Sequence, residues 1–153
     1  DSTPKGQVPR HARRGKSQGG VVVHEYKKGA DVQLSTHFHL REFDCHCTRE
    51  DCDITLVDSD LIEELEIVRG HLGALGIMSG YRCQKHNRAE GGKKGSYHLL
   101  GKAADVQPKE VKASFCADVA ERVSARFRHG GIGRAETFTH LDVRGYKARW
   151  VYP

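Results

Sequence analysis

No stretch of this chain approaches the roughly 20 consecutive apolar residues that a membrane-crossing helix needs, so no membrane span is expected. An excess of one charge is also missing where a nucleic-acid-binding domain would carry it. The formal net charge is +5, but residues 1–28 hold seven Lys or Arg against two acids, while residues 29–153 hold 18 of each. The pI of about 9.0 therefore describes a tail, and no nucleic-acid partner is expected for the folded part. No internal repeat is apparent. A chain of 153 residues is enough for one domain with one core, and a monomer is expected.

Residues 1–20 are rich in Gly, Pro, Ser, Lys and Arg and offer little apolar surface to offset the cost of ordering. We read residues 1–28 as a flexible basic arm or linker and 29–153 as the folded domain. The run Arg10–His11–Ala12–Arg13–Arg14–Gly15–Lys16 reads as solvated linker in preference to an anion-binding segment. Val21–Val22–Val23 reads as a short edge strand or the start of the ordered part.

Further along, Phe38 to Phe43 either alternates as a strand or forms a loop that pins Phe43 into the core. Leu61, Leu65, Val68, Leu72 and Leu75 recur at three-to-four spacing and predict a helix from near Leu61 to Leu75, capped by Asp58, Ser59 or Asp60 and stopped at Gly76. Ile77–Met78–Ser79 reads as a buried strand. Val111, Phe115, Val119 and Val123, with Cys116, Ala120 and Phe127 beside them, predict a second helix from Pro108 to Arg128. A last strand is predicted over Thr137 to Val143, with Phe138, His140 and Asp142 on one side. Two helices on a few short strands make an α+β domain.

The densest chemistry lies in Ser96–Tyr97–His98–Leu99–Leu100–Gly101–Lys102–Ala103–Ala104–Asp105. Glycine permits a tight turn after His98, and alternation puts Ala103, Asp105 and Gln107 on one face of a strand. A turn histidine and a strand carboxylate can then converge on one ion, with His140 of Thr139–His140–Leu141–Asp142–Val143 as a third donor. Three such ligands with a fourth position left to water make a catalytic zinc site.

These segments, with Ser79–Gly80–Tyr81–Arg82, His86–Asn87, Gly91–Gly92 and Phe138 to Arg144, stand in an order that resembles the zinc D-Ala-D-Ala carboxypeptidase family. The resemblance runs from about Leu34 to Trp150. It implies the fold shared with the hedgehog domain: a small antiparallel sheet with flanking helices and a zinc cleft on one face. It implies His98, Asp105 and His140 as zinc ligands and peptidoglycan as partner. The reaction implied is hydrolysis of a peptide bond in stem peptides or crosslinks, by a D-Ala-D-Ala carboxypeptidase or a murein endopeptidase. The place implied is the cell envelope, periplasmic or secreted, or a phage-encoded lysin. Arg82 matches the arginine that binds a substrate carboxylate or carbonyl oxygen, Ser96 and Tyr97 line the cleft or orient His98, and His86 and Asn87 brace the segment beneath.

Relatives carry a Glu or a His shortly before the last ligand, but Phe138 stands where some have a second histidine. Two acids are then candidates for the general base: Asp142, favoured for its place on the strand face of His140, and Glu136, four residues earlier; the alternative for Asp142 is to support a ligand or to pair with Arg144. The alternative function is a non-catalytic, zinc-stabilised module that binds cell wall or protein.

Cys45, Cys47, Cys52 and Cys83 form one group, while Cys116 falls beside the apolar face of the second helix as a buried thiol. The four could form two disulfides, hold a second, structural zinc, or stay reduced, with His46 able to replace one thiol. Disulfides are the favoured single reading, because C-x-C-x-x-x-x-C matches no standard zinc hairpin.

Overall fold

The computed structural model describes residues 13–14 and 23–153. In chain order the strands and helices are β1 (Arg13–Arg14), β2 (Val23–Lys27), β3 (Ile54–Asp58), α1 (Ser59–Leu72), β4 (Leu75–Ser79), α2 (Gln84–Ala89), β5 (Ala103–Pro108), α3 (Ala113–Val123), α4 (Ala125–Arg128), β6 (Gly131–Arg134), β7 (Thr139–Asp142) and β8 (Ala148–Val151). Single 3-10 turns cover Leu40–Phe43 and Tyr97–Leu100. β1, β2 and β3 make an antiparallel sheet, and a second sheet runs β4-β5-β7-β6-β8. The domain is α+β, as its pattern predicts. The second sheet is mixed where an antiparallel one was expected, because β8 joins β6 in parallel. No helix among the described residues is long and apolar enough to cross a membrane.

The expected arm of residues 1–28 gives up Val23–Lys27 to β2, where His24 and Tyr26 are buried and the strand pairs along its length with β3. Arg13 and Arg14, read as linker, pair with Glu25 and His24. The remaining residues up to Val22 lie outside the described part. Phe38 and Phe43 are both buried, the second carried inward by the 3-10 turn, so the loop reading of that segment holds.

α1 begins where the Asp58 carboxylate accepts the Asp60 amide at 2.7 Å, and its Leu61, Leu65, Val68 and Leu72 stripe is buried. It stops three residues before the expected Gly76. Gly73 takes φ +84°, which favours glycine, and its amide bonds the Arg69 carbonyl at 2.9 Å. Leu75 therefore starts β4 rather than ending the helix.

The second predicted helix is also corrected. Pro108 closes β5, pairing with Leu75, and α3 starts only at Ala113. Ser124 then breaks the helical run. Its backbone is extended (φ −116°, ψ 109°), its hydroxyl donates to Glu64 Oε1 at 2.6 Å, and its oxygen caps α4 by accepting the Phe127 amide at 3.1 Å. The inward face of α3 is Ala113, Cys116, Ala117, Val119 and Ala120, so Val119 is in the core as expected while Phe115 is 45% exposed.

α3 packs on β5, β6 and β7. Ala104, Val106, Ile132 and Leu141 belong to the core with the buried face of α3. Alternation turns Asp105, His140 and Asp142 to the opposite face. The site thus lies on the side of the sheet away from α3. β7 is shorter than expected at both ends, so Glu136 lies in an exposed loop and not on the strand face.

Ser124→Ala removes the cap of α4 and a buried donor to Glu64 together. It is expected to lower unfolding free energy by about 1–3 kcal/mol. Urea denaturation should show a lower midpoint with an unchanged slope.

Candidate metal centre

His98 sits in the Tyr97–Leu100 turn, whose start is capped by Ser96 Oγ accepting the His98 amide at 3.3 Å. The turn ends at Gly101, with φ +72° and no room for a Cβ against the Leu56 carbonyl. Glycine is required there on both counts. The His98 ring is fixed from behind: Nδ1 lies 2.7 Å from the Gly80 carbonyl, which can only accept, so Nδ1 carries the proton and Nε2 faces inward.

Asp105 on β5 and His140 on β7 are direct register partners. Asp105 Oδ1 lies 3.3 Å from His98 Nε2 and 3.0 Å from His140 Nδ1. All three residues are at most 4% exposed, and their donor atoms lie within 4.8 Å of one another. The three residues predicted as ligands are thus brought together.

The other oxygen of Asp105 accepts Arg82 Nη2 at 3.2 Å. Arg82 also donates Nε to Ser79 Oγ at 3.0 Å and Nη1 to Asn87 Oδ1 at 3.2 Å. Expected as a substrate anchor, its guanidinium is engaged with the protein itself and braces Asp105. Asn87 has the bracing place foreseen for it, since its amide also donates to the Lys93 carbonyl at 2.8 Å. His86 is half-buried on the short helix α2 beside it.

Asp142 stands where the alternative reading put it, against a predicted ligand and Arg144. Its carboxylate lies 2.7 Å from His140 Nε2, the ring nitrogen turned away from Asp105. It is fully buried and accepts the Gly131 amide at 2.9 Å, the Arg144 amide at 3.1 Å, Arg144 Nε at 2.9 Å and Arg144 Nη2 at 2.7 Å. A Cβ on Gly131 would collide with this carboxylate. Proximity along the strand favoured Asp142 as base, but its oxygens are occupied on the wrong side of the ring. It holds His140 in the tautomer that leaves Nδ1 free toward Asp105.

Burial works against the charge on all three of these groups, and their partners override it. Asp105 is held well below the usual carboxylate range by both histidines, and Asp142 by His140 and Arg144. Burial would lower the His140 pKa, yet the two flanking carboxylates raise it above its ordinary value. Hydrogen bonds thus fix the outer atoms of this set and aim the inner ones at a common point, which fits a dication.

One wall of the site, apart from Tyr97, went unpredicted. The Trp150 ring lies 4.9 Å from the His140 ring, and the Arg144 guanidinium lies over Tyr97 at 4.5 Å, Trp150 at 5.1 Å and Tyr146 at 5.5 Å. Tyr97 and Tyr146 hydroxyls are 3.3 Å apart. The chain's one tryptophan, in Arg149–Trp150–Val151–Tyr152, was the available signal.

Two buried imidazoles and a carboxylate converging from two strands and a turn make a donor set that could hold a metal ion, and their chemistry suits zinc. The family model for peptidase M15 matches residues 36–142, and the chain belongs to that family. Its metallopeptidases are zinc-dependent. No curated protein sequence matches the chain.

His98→Ala and Asp105→Ala are each expected to lose the ion at this site, so that the zinc content per chain falls by about one relative to wild type, read by elemental analysis. Asp142→Asn should keep the fold but weaken zinc affinity by about 10–100-fold, read by chelator competition.

Metal-free protein should also show a distinctive pH profile. The lowered carboxylate values contribute stability above about pH 3.9, lost as pH falls. The raised His140 value contributes stability below about pH 6.5, lost as pH rises through its folded value. Thermal unfolding of the apoprotein should therefore peak in mild acid, and zinc should move the peak toward neutrality.

Proposed function

We propose that this peptidase is a zinc enzyme that hydrolyses a peptide bond in peptidoglycan, either as a D-Ala-D-Ala carboxypeptidase or as a murein endopeptidase. It works on the cell envelope, as a periplasmic or secreted protein or a phage-encoded lysin. The observation that carries this reading is the convergence of His98, Asp105 and His140 in a chain of the M15 family. The sheet with α3 on one face and the donor set on the other supports the hedgehog/DD-peptidase fold.

Zinc held by His98 Nε2, Asp105 Oδ1 and His140 Nδ1 would polarise the scissile carbonyl and bring the pKa of water to about 7. The chain's residues do the rest. Gly80 and Asp142 fix the two imidazole tautomers, and Arg82 neutralises the outer oxygen of Asp105. Glu136 takes over as general base, since Asp142 is fully engaged. It stands in the exposed loop before the last ligand, where relatives place an acid, and its flexible side chain accepts the water proton and returns it to the leaving amine. Tyr97, Tyr146 and Trp150, gathered around Arg144, offer an aromatic and cationic wall for a carboxylate-bearing stem peptide.

Digestion of purified sacculi, with released fragments identified by mass, tests the reading and names the bond. Glu136→Gln should keep its zinc and lose roughly 10²–10⁴-fold in turnover. A zinc-replete protein that releases nothing from any muropeptide would make the chain a binding module instead.

A further inference from the structure

The loop from residue 44 to 53 is ordered with almost nothing to order it. Its only buried residues are Cys45 and Cys52, and the rest of its side chains are polar or exposed. Its ends are tied down: the Asp44 carboxylate accepts the Gly29 amide at 2.9 Å and the Thr55 hydroxyl at 2.5 Å, and the Lys28 amide donates to the Asp53 carbonyl at 2.8 Å. Between those ties no apolar cluster holds the loop. A segment this poor in hydrophobic contacts needs a cross-link to keep one conformation.

Four sulfurs meet where that cross-link would be. Cys45, Cys47 and Cys52 come from the loop and Cys83 from the turn beyond β4, and their Sγ atoms all lie within 4.8 Å of one another. None is in a disulfide. The structure holds them as free thiols rather than as the two disulfides favoured from the sequence, with all four sulfurs in one group. Cys47 Sγ and Cys83 Sγ are 3.8 Å apart. Zn–S bonds of about 2.3 Å give a regular tetrahedron with sulfur–sulfur edges of about 3.8 Å. His46, the foreseen substitute ligand, is exposed and stands outside the group, with its ring 6.3 Å from that of His86.

The surroundings suit a cluster of negative charge. The Cys83 amide points at Cys45 Sγ (3.4 Å) and the His86 amide at Cys83 Sγ (3.4 Å). The Lys28 ammonium lies 3.5 Å from Cys52 Sγ and 3.9 Å from Cys47 Sγ. Four thiolates around a dication leave a net charge of −2, and these donors are placed to offset it.

We propose that Cys45, Cys47, Cys52 and Cys83 hold a second zinc ion in a tetrahedral four-thiolate site that clamps the 44–53 loop to the turn at Gly80–Cys83. Soft sulfur donors in this geometry select zinc over the oxygen-loving divalent cations. Binding releases the thiol protons to solvent and involves no redox change, so it needs no other reactant.

The clamp also bears on the first site, a consequence that rests on the peptidase reading, whereas the clamp itself does not. The turn it fixes supplies the Gly80 carbonyl to His98 Nδ1, the Arg82 amide to the His98 carbonyl at 3.2 Å, and the Arg82 guanidinium to Asp105. The Tyr81 amide ties the same turn to the Phe43 carbonyl at 2.9 Å. The four cysteines are positioning residues for two of the three ligands of the other ion.

Elemental analysis of the full chain, purified with reductant and zinc, should find about two zinc ions per chain, and His98→Ala should keep about one. Cobalt added to metal-free His98→Ala should give the intense near-ultraviolet charge-transfer band of thiolate coordination. This measurement requires no cysteine variant to fold. Cys47→His, which preserves a zinc-binding donor, should retain the second ion in the His98→Ala background, and Cys47→Ala should weaken its retention against a chelator. One zinc per chain in wild type with none in His98→Ala would overturn the proposal. So would an intact mass lacking the hydrogens of four thiols, the signature of two disulfides. Loss of peptidoglycan hydrolysis with both zinc ions retained would count against the peptidase reading and leave the clamp standing.

Discussion

Asp105 carries its charge with almost no access to water, and much of the site is an answer to that problem. A buried carboxylate is tolerated only when its oxygens are met by donors or cations. One oxygen faces two imidazoles and the other faces Arg82. Asp142 repeats the arrangement two register positions along the sheet, with Arg144 as its arginine. His140 stands between two carboxylates, each already matched by a guanidinium. The inner faces of Asp105, His98 and His140 are left with donor atoms directed at one another, an arrangement a dication satisfies far better than a single proton.

The backbone makes this possible at the level of sheet register. β5 and β7 run antiparallel with Asp105 opposite His140, so two ligands are set side by side by the same hydrogen bonds that build the sheet. The Leu141, Ala104 and Val106 side chains on the reverse face anchor those strands to the core. A one-residue slip would send the ligands into the core and the apolar residues into the cleft, so core packing and metal geometry enforce the same register. The third ligand is not on the sheet. It comes from a turn that Gly101 permits, steadied by the segment after β4, whose Gly80 carbonyl meets His98 Nδ1.

The grouping of His98, Asp105 and His140 was legible because its signals are local: a histidine and an aspartate bracketing small residues, then a histidine in a short strand. α1 was legible for the same reason, its leucine stripe being a local period. What could not be read depends on partners far along the chain. Ser124 looks like one more helical residue until Glu64 is seen beside it. Gly73 and Gly76 are equivalent as stops until β4 claims Leu75 for pairing with Pro108. Asp142 and His140 share a strand face, but which edge of the imidazole meets Asp142 depends on Arg144 and on the missing side chain of Gly131. The four cysteines were legible as one group, but their state was not, because it depends on how the fold sets the turn at Cys83 against the 44–53 loop.

The pairing of Asp105 with His140 has a consequence for the order in which the molecule is assembled. Donors drawn from a turn and two strands have no common location in an unfolded chain, and gathering them there would mean closing long loops against chain entropy. In the folded chain the backbone ladder and the core have already met that requirement. An ion taken up here would therefore be a late occupant of a prepared seat rather than the nucleus around which the polypeptide collapses.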